Sequence, residues 1–226
     1  MQARTSVLHE QRVEVATAPA QSTRYVQELA GLTALYDSAI NVCVLTRSRD
    51  PQLASAVSSA LAEQDYLRSI RVRADSPDLS GLDLDGHPES SPLLADLRFW
   101  IQVYSDLLGA EEIGLRLCSL YEAMCPRFHV DRVIARMVIT YAGAGTEWID
   151  SRDVDRSRLG VKAGGLPDEQ SGLLMRPGGI LQMPTYAVGL LKGESWPGNQ
   201  GHGAVHRSPA VPKSGPRRVL LTLDGL

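Results

Sequence analysis

The chain has 226 residues, of which 43% are apolar and 22% charged, with a formal net charge of −3; this is the profile of a globular protein with room for one extended domain or two small ones. A slightly acidic balance gives no general attraction to phosphate backbones or anionic bilayers, and no run of about eighteen apolar residues is present, so neither nucleic acid nor a membrane is expected as a partner. Cys43, Cys118 and Cys125 form no Cys-x-x-Cys unit and no paired framework, which predicts free thiols and a reducing, cytoplasmic compartment.

Residues 1–24 lack the apolar centre of a secretory signal and read as a disordered arm. Residues 25–37 predict a short helix and 40–46 a strand. Asp50-Pro51 reads as an N-cap followed by proline at the first helical position, with Leu53, Val57 and Leu61 at helical spacing behind it. Arg68 to Arg73 alternates polar and apolar as a strand does. Residues 74–90, rich in Asp, Ser, Gly and Pro, predict a loop. A helix starts at Ser91-Pro92 and carries Leu93, Leu97, Trp100, Ile101, Tyr104 and Leu108 on one stripe. A second helix is predicted from about Glu111 to Met124, with Ile113, Leu117, Leu120 and Met124 inward, stopped by Pro126.

Beyond Pro126 the pattern becomes β. Val133 to Tyr141 is apolar and β-branched around one Arg, and Trp148-Ile149, Leu173 to Met175, Ile180 to Leu191, Ala204 to His206 and Arg218 to Leu223 are further strand candidates. Pro184 demotes part of the fourth run to an edge or a bulge. The expected organisation is an arm (1–24), a helix-rich part (25–125) and a β core (126–226), an α+β chain ending in a jelly-roll-like barrel.

The chemistry-bearing residues lie in the β part. His129-Val130-Asp131 places a histidine and a carboxylate two apart, on one side of an extended segment. His206 lies far downstream, followed by Arg217-Arg218. A lone His-x-Asp is a weak signal; the distal His and trailing Arg sharpen it. Two imidazoles and one carboxylate hold a metal while leaving positions open for chemistry. Neighbouring strand residues point to opposite faces, so only one of the two arginines can reach the ligands. Thr222 shares the Arg218 face and favours Arg218.

On these residues the segment 126–226 resembles the C-terminal part of Fe(II)- and 2-oxoglutarate-dependent oxygenases, double-stranded β-helix proteins with His-x-Asp early, His late and an Arg after a glycine-containing turn. The whole chain also resembles an uncharacterised bacterial family of unknown function, through Phe-His-Val-Asp, Gly-Thr-Glu-Trp and Val-His-Arg-Ser-Pro. The first resemblance implies that His129, Asp131 and His206 ligate Fe(II), and that Arg218 or Arg217, with Thr222, binds the small-molecule cosubstrate 2-oxoglutarate. The chain departs from that family's Arg-x-Ser pattern, and the interval from Pro177 to His206 is long for it. The same ligands suit Zn(II) in a cupin-like protein without oxygenase activity, with Cys125 or His202 closing a four-coordinate shell. Neither the substrate nor the oligomeric state is legible.

Overall fold

The computed structural model describes residues 21–61, 64–84, 86–212 and 214–226. Most of the arm expected at 1–24 lies outside the described residues. Its last part does not conform: Ser22 is buried, and its backbone N–H donates to the Asp150 carboxylate.

In chain order the strands and α-helices are β1 (Thr23–Val26), β2 (Val42–Leu45), α1 (Pro51–Leu61), β3 (Tyr66–Arg73), α2 (Ser91–Leu108), β4 (Glu112–Leu120), β5 (Ala135–Ala142), β6 (Glu147–Ile149), β7 (Ile180–Gln182), β8 (Val188–Lys192), β9 (Val205–Arg207) and β10 (Arg218–Gly225). Seven strands form one sheet in the order β1-β2-β8-β5-β10-β4-β3, and three form a second in the order β7-β6-β9. The chain is thus α+β, and strands from both sides of residue 125 are hydrogen-bonded side by side in the larger sheet.

Several elements follow from local chemistry. Asp50 caps α1, accepting from the Gln52 and Leu53 backbone N–H groups at 2.8 and 3.4 Å, which satisfies donors that a helix start leaves free. Gly109 ends α2 in the left-handed conformation at φ 67°, open to glycine without a Cβ clash. The stripe Leu93, Leu97, Trp100, Ile101 and Tyr104 is buried. It packs with α1 on the sheet face carrying Ile113, Leu115, Leu117, Met137, Ile139, Leu221 and Leu223. The opposite face packs Val42, Val44, Val138, Leu191 and Leu220 against Trp148, Met183 and Ala204 of the second sheet and its connections. The ligand candidates sit at the margin of this second layer.

Two predicted helices are corrected. Residues 25–37 form the end of β1 and a 3₁₀ helix, Leu29–Tyr36, which buries Leu32 and Leu35; the spacing of three matches the tighter 3₁₀ turn. Residues 111–124 hold β4 instead of a helix. Ile113, Leu115 and Leu117 alternate inward, a period of two that the i, i+4, i+7 positions Ile113, Leu117 and Leu120 concealed. Cys118 is accordingly a buried strand thiol, and Met124 is exposed. The expected strand at 173–175 is reduced to a single bridge, Val154 to Leu174. Pro184 separates β7 from β8, because its nitrogen has no hydrogen to give the ladder.

Candidate metal centre

The structure brings His129, Asp131 and His206 together, with one donor atom from each lying within 4.8 Å of the others. Their positions come from backbone pairing. His129 and His206 exchange both backbone hydrogen bonds at 3.0 Å across an isolated antiparallel bridge, so their side chains rise on the same side and the ring centroids are 4.5 Å apart. The Asp131 segment is held by the turn after β8: the Glu194 N–H donates to the Asp131 carbonyl at 2.8 Å and the Gly193 N–H to that of Ile134 at 2.9 Å. Position 193 tolerates only glycine here, because a Cβ would overlap the Val133 carbonyl.

Both imidazoles are oriented by backbone. His129 Nδ1 lies 2.9 Å from the Arg127 carbonyl oxygen and His206 Nδ1 lies 3.0 Å from that of Ala204. A carbonyl only accepts, so each Nδ1 carries the proton and each Nε2 presents a lone pair. Those Nε2 atoms face the Asp131 carboxylate, at 3.7 Å from Oδ1 for His129 and 3.1 Å from Oδ2 for His206. Arg136 completes the surroundings of Asp131, donating from Nη1 to Oδ2 at 2.7 Å while its other nitrogens bind Asp224.

The electrostatics suit a cation. Burial raises the pKa of Asp131, but a His206 protonated at Nε2, with the charges of Arg136 and His129, outweighs it and holds the group at about 2; in the neutral, ligating imidazole that Nε2 proton is gone. Burial, then the adjacent His206, lowers that of His129, which favours the neutral, ligating imidazole. The donor set is therefore two oriented imidazole nitrogens and an ionised carboxylate. Among the described residues no further His, Cys, Asp or Glu joins the cluster.

Arg218 and Thr222 line the same pocket as the two histidines. Arg218 is 1% exposed. Its guanidinium donates to the Ala144 carbonyl at 2.8 Å, Thr146 Oγ1 at 2.8 Å and Ser208 Oγ at 3.4 Å, all uncharged groups. Burial lowers its pKa to about 10. Arg217 is the correction among the cosubstrate candidates: it points the other way, pairs with Asp65 and stacks on Tyr121, as strand alternation requires. Cys125 lines the pocket outside the ligand cluster, and His202 faces a different hollow with Asn41 and Asn199. Sequence reading passed over Arg136, Thr146, Arg207 and Ser208, which also line the pocket. The only signal for Arg136 was its place as the one charge inside an apolar strand.

Two histidines and an aspartate turned toward a common point, beside a buried arginine that forms no ion pair among the described residues, define a candidate 2-His-1-carboxylate metal protein. The chain belongs to the family described as "Protein of unknown function (DUF1826)", whose model matches residues 26–224. No curated protein matches. Among solved structures, the chain is similar to the Arabidopsis thaliana dioxygenase for auxin oxidation 1 in its 2-oxoglutarate complex, at 9% identity, TM-score 0.49, covering 90% of this chain and 91% of that one. It is also similar to a Pseudomonas putida prolyl-4-hydroxylase, at 10% identity, TM-score 0.44, covering 87% and 97%. A third is EctD from S. alaskensis with bound Fe, at 17% identity, TM-score 0.44, covering 92% and 81%.

Proposed function

We propose that this protein is an Fe(II)- and 2-oxoglutarate-dependent oxygenase on a double-stranded β-helix, with its two facing sheets as the halves of the barrel. The observation that carries the reading is the pairing of an oriented His129–Asp131–His206 donor set with a buried, carboxylate-free Arg218 in one pocket. A buried arginine that, among the described residues, forms no ion pair and donates only to neutral groups is costly to bury, and a bound carboxylate would offset that cost.

In this reading His129 Nε2, His206 Nε2 and an Asp131 oxygen would hold the metal, a donor set that leaves it open to a cosubstrate. The bound iron and cosubstrate together supply the oxidation of a substrate C–H bond, which protein side chains cannot perform. The chain's own residues bind and orient. Arg218 presents a planar fork to the distal carboxylate of the cosubstrate, and Thr146 and Ala144 hold that fork in place. The Arg127 and Ala204 carbonyls keep the Nδ1 protons and aim both rings, a role known to tune metal ligands. Arg136 fixes the Asp131 carboxylate. Val138 and Leu220, buried residues that line the pocket, keep part of its wall apolar.

A closed zinc site is the second reading, with the same three donors. It is disfavoured because neither Cys125 nor His202 lies in the cluster to supply the fourth ligand that structural zinc takes.

Anaerobic titration of metal-free protein with Fe(II) and then 2-oxoglutarate tests the proposal. The wild type should develop the weak visible charge-transfer band of the chelate, His206→Ala should lose it, and Arg218→Ala should need much more 2-oxoglutarate to reach it. Tight zinc uptake with no chelate band would sink the oxygenase assignment.

A further inference from the structure

Four arginines line the pocket around the ligand cluster: Arg116, Arg136, Arg207 and Arg218. Arg136 is neutralised by Asp131 and Asp224, and Arg207 by Glu147 and Glu169. Arg218 is matched by the cosubstrate carboxylate in the oxygenase reading, on which the present inference rests. Arg116, which unlike the other three is exposed, has no such match. Among the described residues its guanidinium meets no carboxylate, and its polar contacts are Nε donating to Ser69 Oγ at 3.3 Å and Nη1 to Met124 Sδ at 3.9 Å.

Its position is set by strand register. Arg116 of β4 lies opposite Thr222 of β10 and Ser69 of β3, and directly opposed residues share a face. Arg116 therefore stands on the pocket face of the sheet, with Thr222 and Arg218. The second sheet packs on this face mainly over β2, β8 and β5. Over β3 the face is open, with Leu67, Ser69, Arg71 and Arg73 exposed.

The pocket also continues. Met124 lines both it and an adjoining hollow whose wall carries Leu67, Leu120 and Tyr121, with Asp65, Arg68 and Glu122 among its other positions. Met124, Leu67 and Tyr121 are 39%, 55% and 58% exposed. Large apolar side chains gathered on the surface mark a place that something covers. An unmatched cation at one end and an apolar ledge beyond it call for a ligand with an acidic group and an apolar body.

We propose that the substrate is an organic anion, a carboxylate or phosphate monoester, whose acidic group is held by Arg116 and whose apolar body lies over Met124, Tyr121 and Leu67. The cation fixes the end of the molecule, and the ledge fixes its direction relative to the ligand cluster.

The test uses hexanoate, hexyl phosphate and hexanol as probes, titrated calorimetrically into the full-length protein, both metal-free and anaerobically loaded with Fe(II) and 2-oxoglutarate. Wild type should bind the two anions and not the alcohol, and the stronger of the two identifies which acid the site takes. Arg116→Ala should weaken anion binding by about tenfold or more, as expected for a lost charge-assisted hydrogen bond, and Arg116→Lys should restore part of it. Tyr121→Ser should weaken both anions alike. Equal binding of hexanol, no anion binding by wild type, or undiminished binding in Arg116→Ala would each overturn the proposal. The chelate band of the same samples reports separately on the oxygenase assignment. A band with Arg116-independent anion binding removes the substrate proposal alone, whereas Arg116-dependent binding without a band removes the cosubstrate and leaves the anion site standing.

Discussion

Arg217 and Arg218 are adjacent in sequence and opposite in fate. Arg217 forms a largely exposed pair with Asp65, so Arg217→Ala should change stability by no more than about 1 kcal/mol and leave 2-oxoglutarate affinity as it was. Arg218→Ala should lose that affinity, and parallel cosubstrate titrations distinguish the two. Protonation gives a second residue-scale expectation. Metal and protons compete for the ligand atoms. Asp131 is held at about 2 and His129 is lowered by burial, so neither takes up a proton readily at neutral pH. Metal affinity should hold near pH 7 and fall as acidification passes through the imidazole range below about pH 6.5. Zn(II) titrations across that range check it, and a loss centred on the carboxylate range near pH 4 would contradict it. Two members of the candidate donor cluster, His129 and Asp131, were legible in sequence because His-x-Asp is a local pattern on an extended segment. The choice between two arginines was legible as a parity rule, with Thr222 as the tie-breaker. Arg116 was not, since its place on the pocket face depends on β4 lying between β3 and β10.

At the scale of elements, most misreadings trace to one ambiguity. Ile113, Leu117 and Leu120 satisfy a helical stripe, yet Leu115 satisfies only alternation, and long-range pairing with β3 and β10 decides for the strand. The α2 stripe had no such competitor, and its buried set matches the predicted one except for Leu108, which is half-buried at the helix end. What pairing adds is also visible at the turn after β8, in the long interval before His206, where Gly193 to Ser195 bond to the backbone of residues 131–134. Gly193→Ala should therefore disturb the metal centre from outside it. A Cβ pressed on the Val133 carbonyl should cost about 1–3 kcal/mol, the usual range for overpacking, and should weaken metal binding by displacing Asp131. Thermal unfolding and a metal titration on one sample would show both effects, and unaltered metal affinity would detach the turn from the site.

Across the whole molecule, the helices are tied to the sheet by a polar lock. Asp96 of α2 takes two hydrogen bonds from Arg47, just after β2, one from the Tyr141 hydroxyl of β5 and one from the Trp100 indole. Asp96→Ala would strand a mostly buried guanidinium and should destabilise the fold by about 3 kcal/mol. Replacing both partners, Arg47→Met with Asp96→Leu, should recover much of that loss, and denaturant unfolding of the single and double variants measures it. The larger sheet has one further property. The strand between its β5 and β4 is β10, which is made well after both, and it carries Arg218 and Thr222. During synthesis, β4 and β5 must wait with unpaired edges until residues 218–225 leave the ribosome. Such late, non-local closure slows folding and exposes sticky intermediates. The nascent chain is therefore expected to depend on chaperones, and the pocket side chains Arg218 and Thr222 take their places only when β10 pairs.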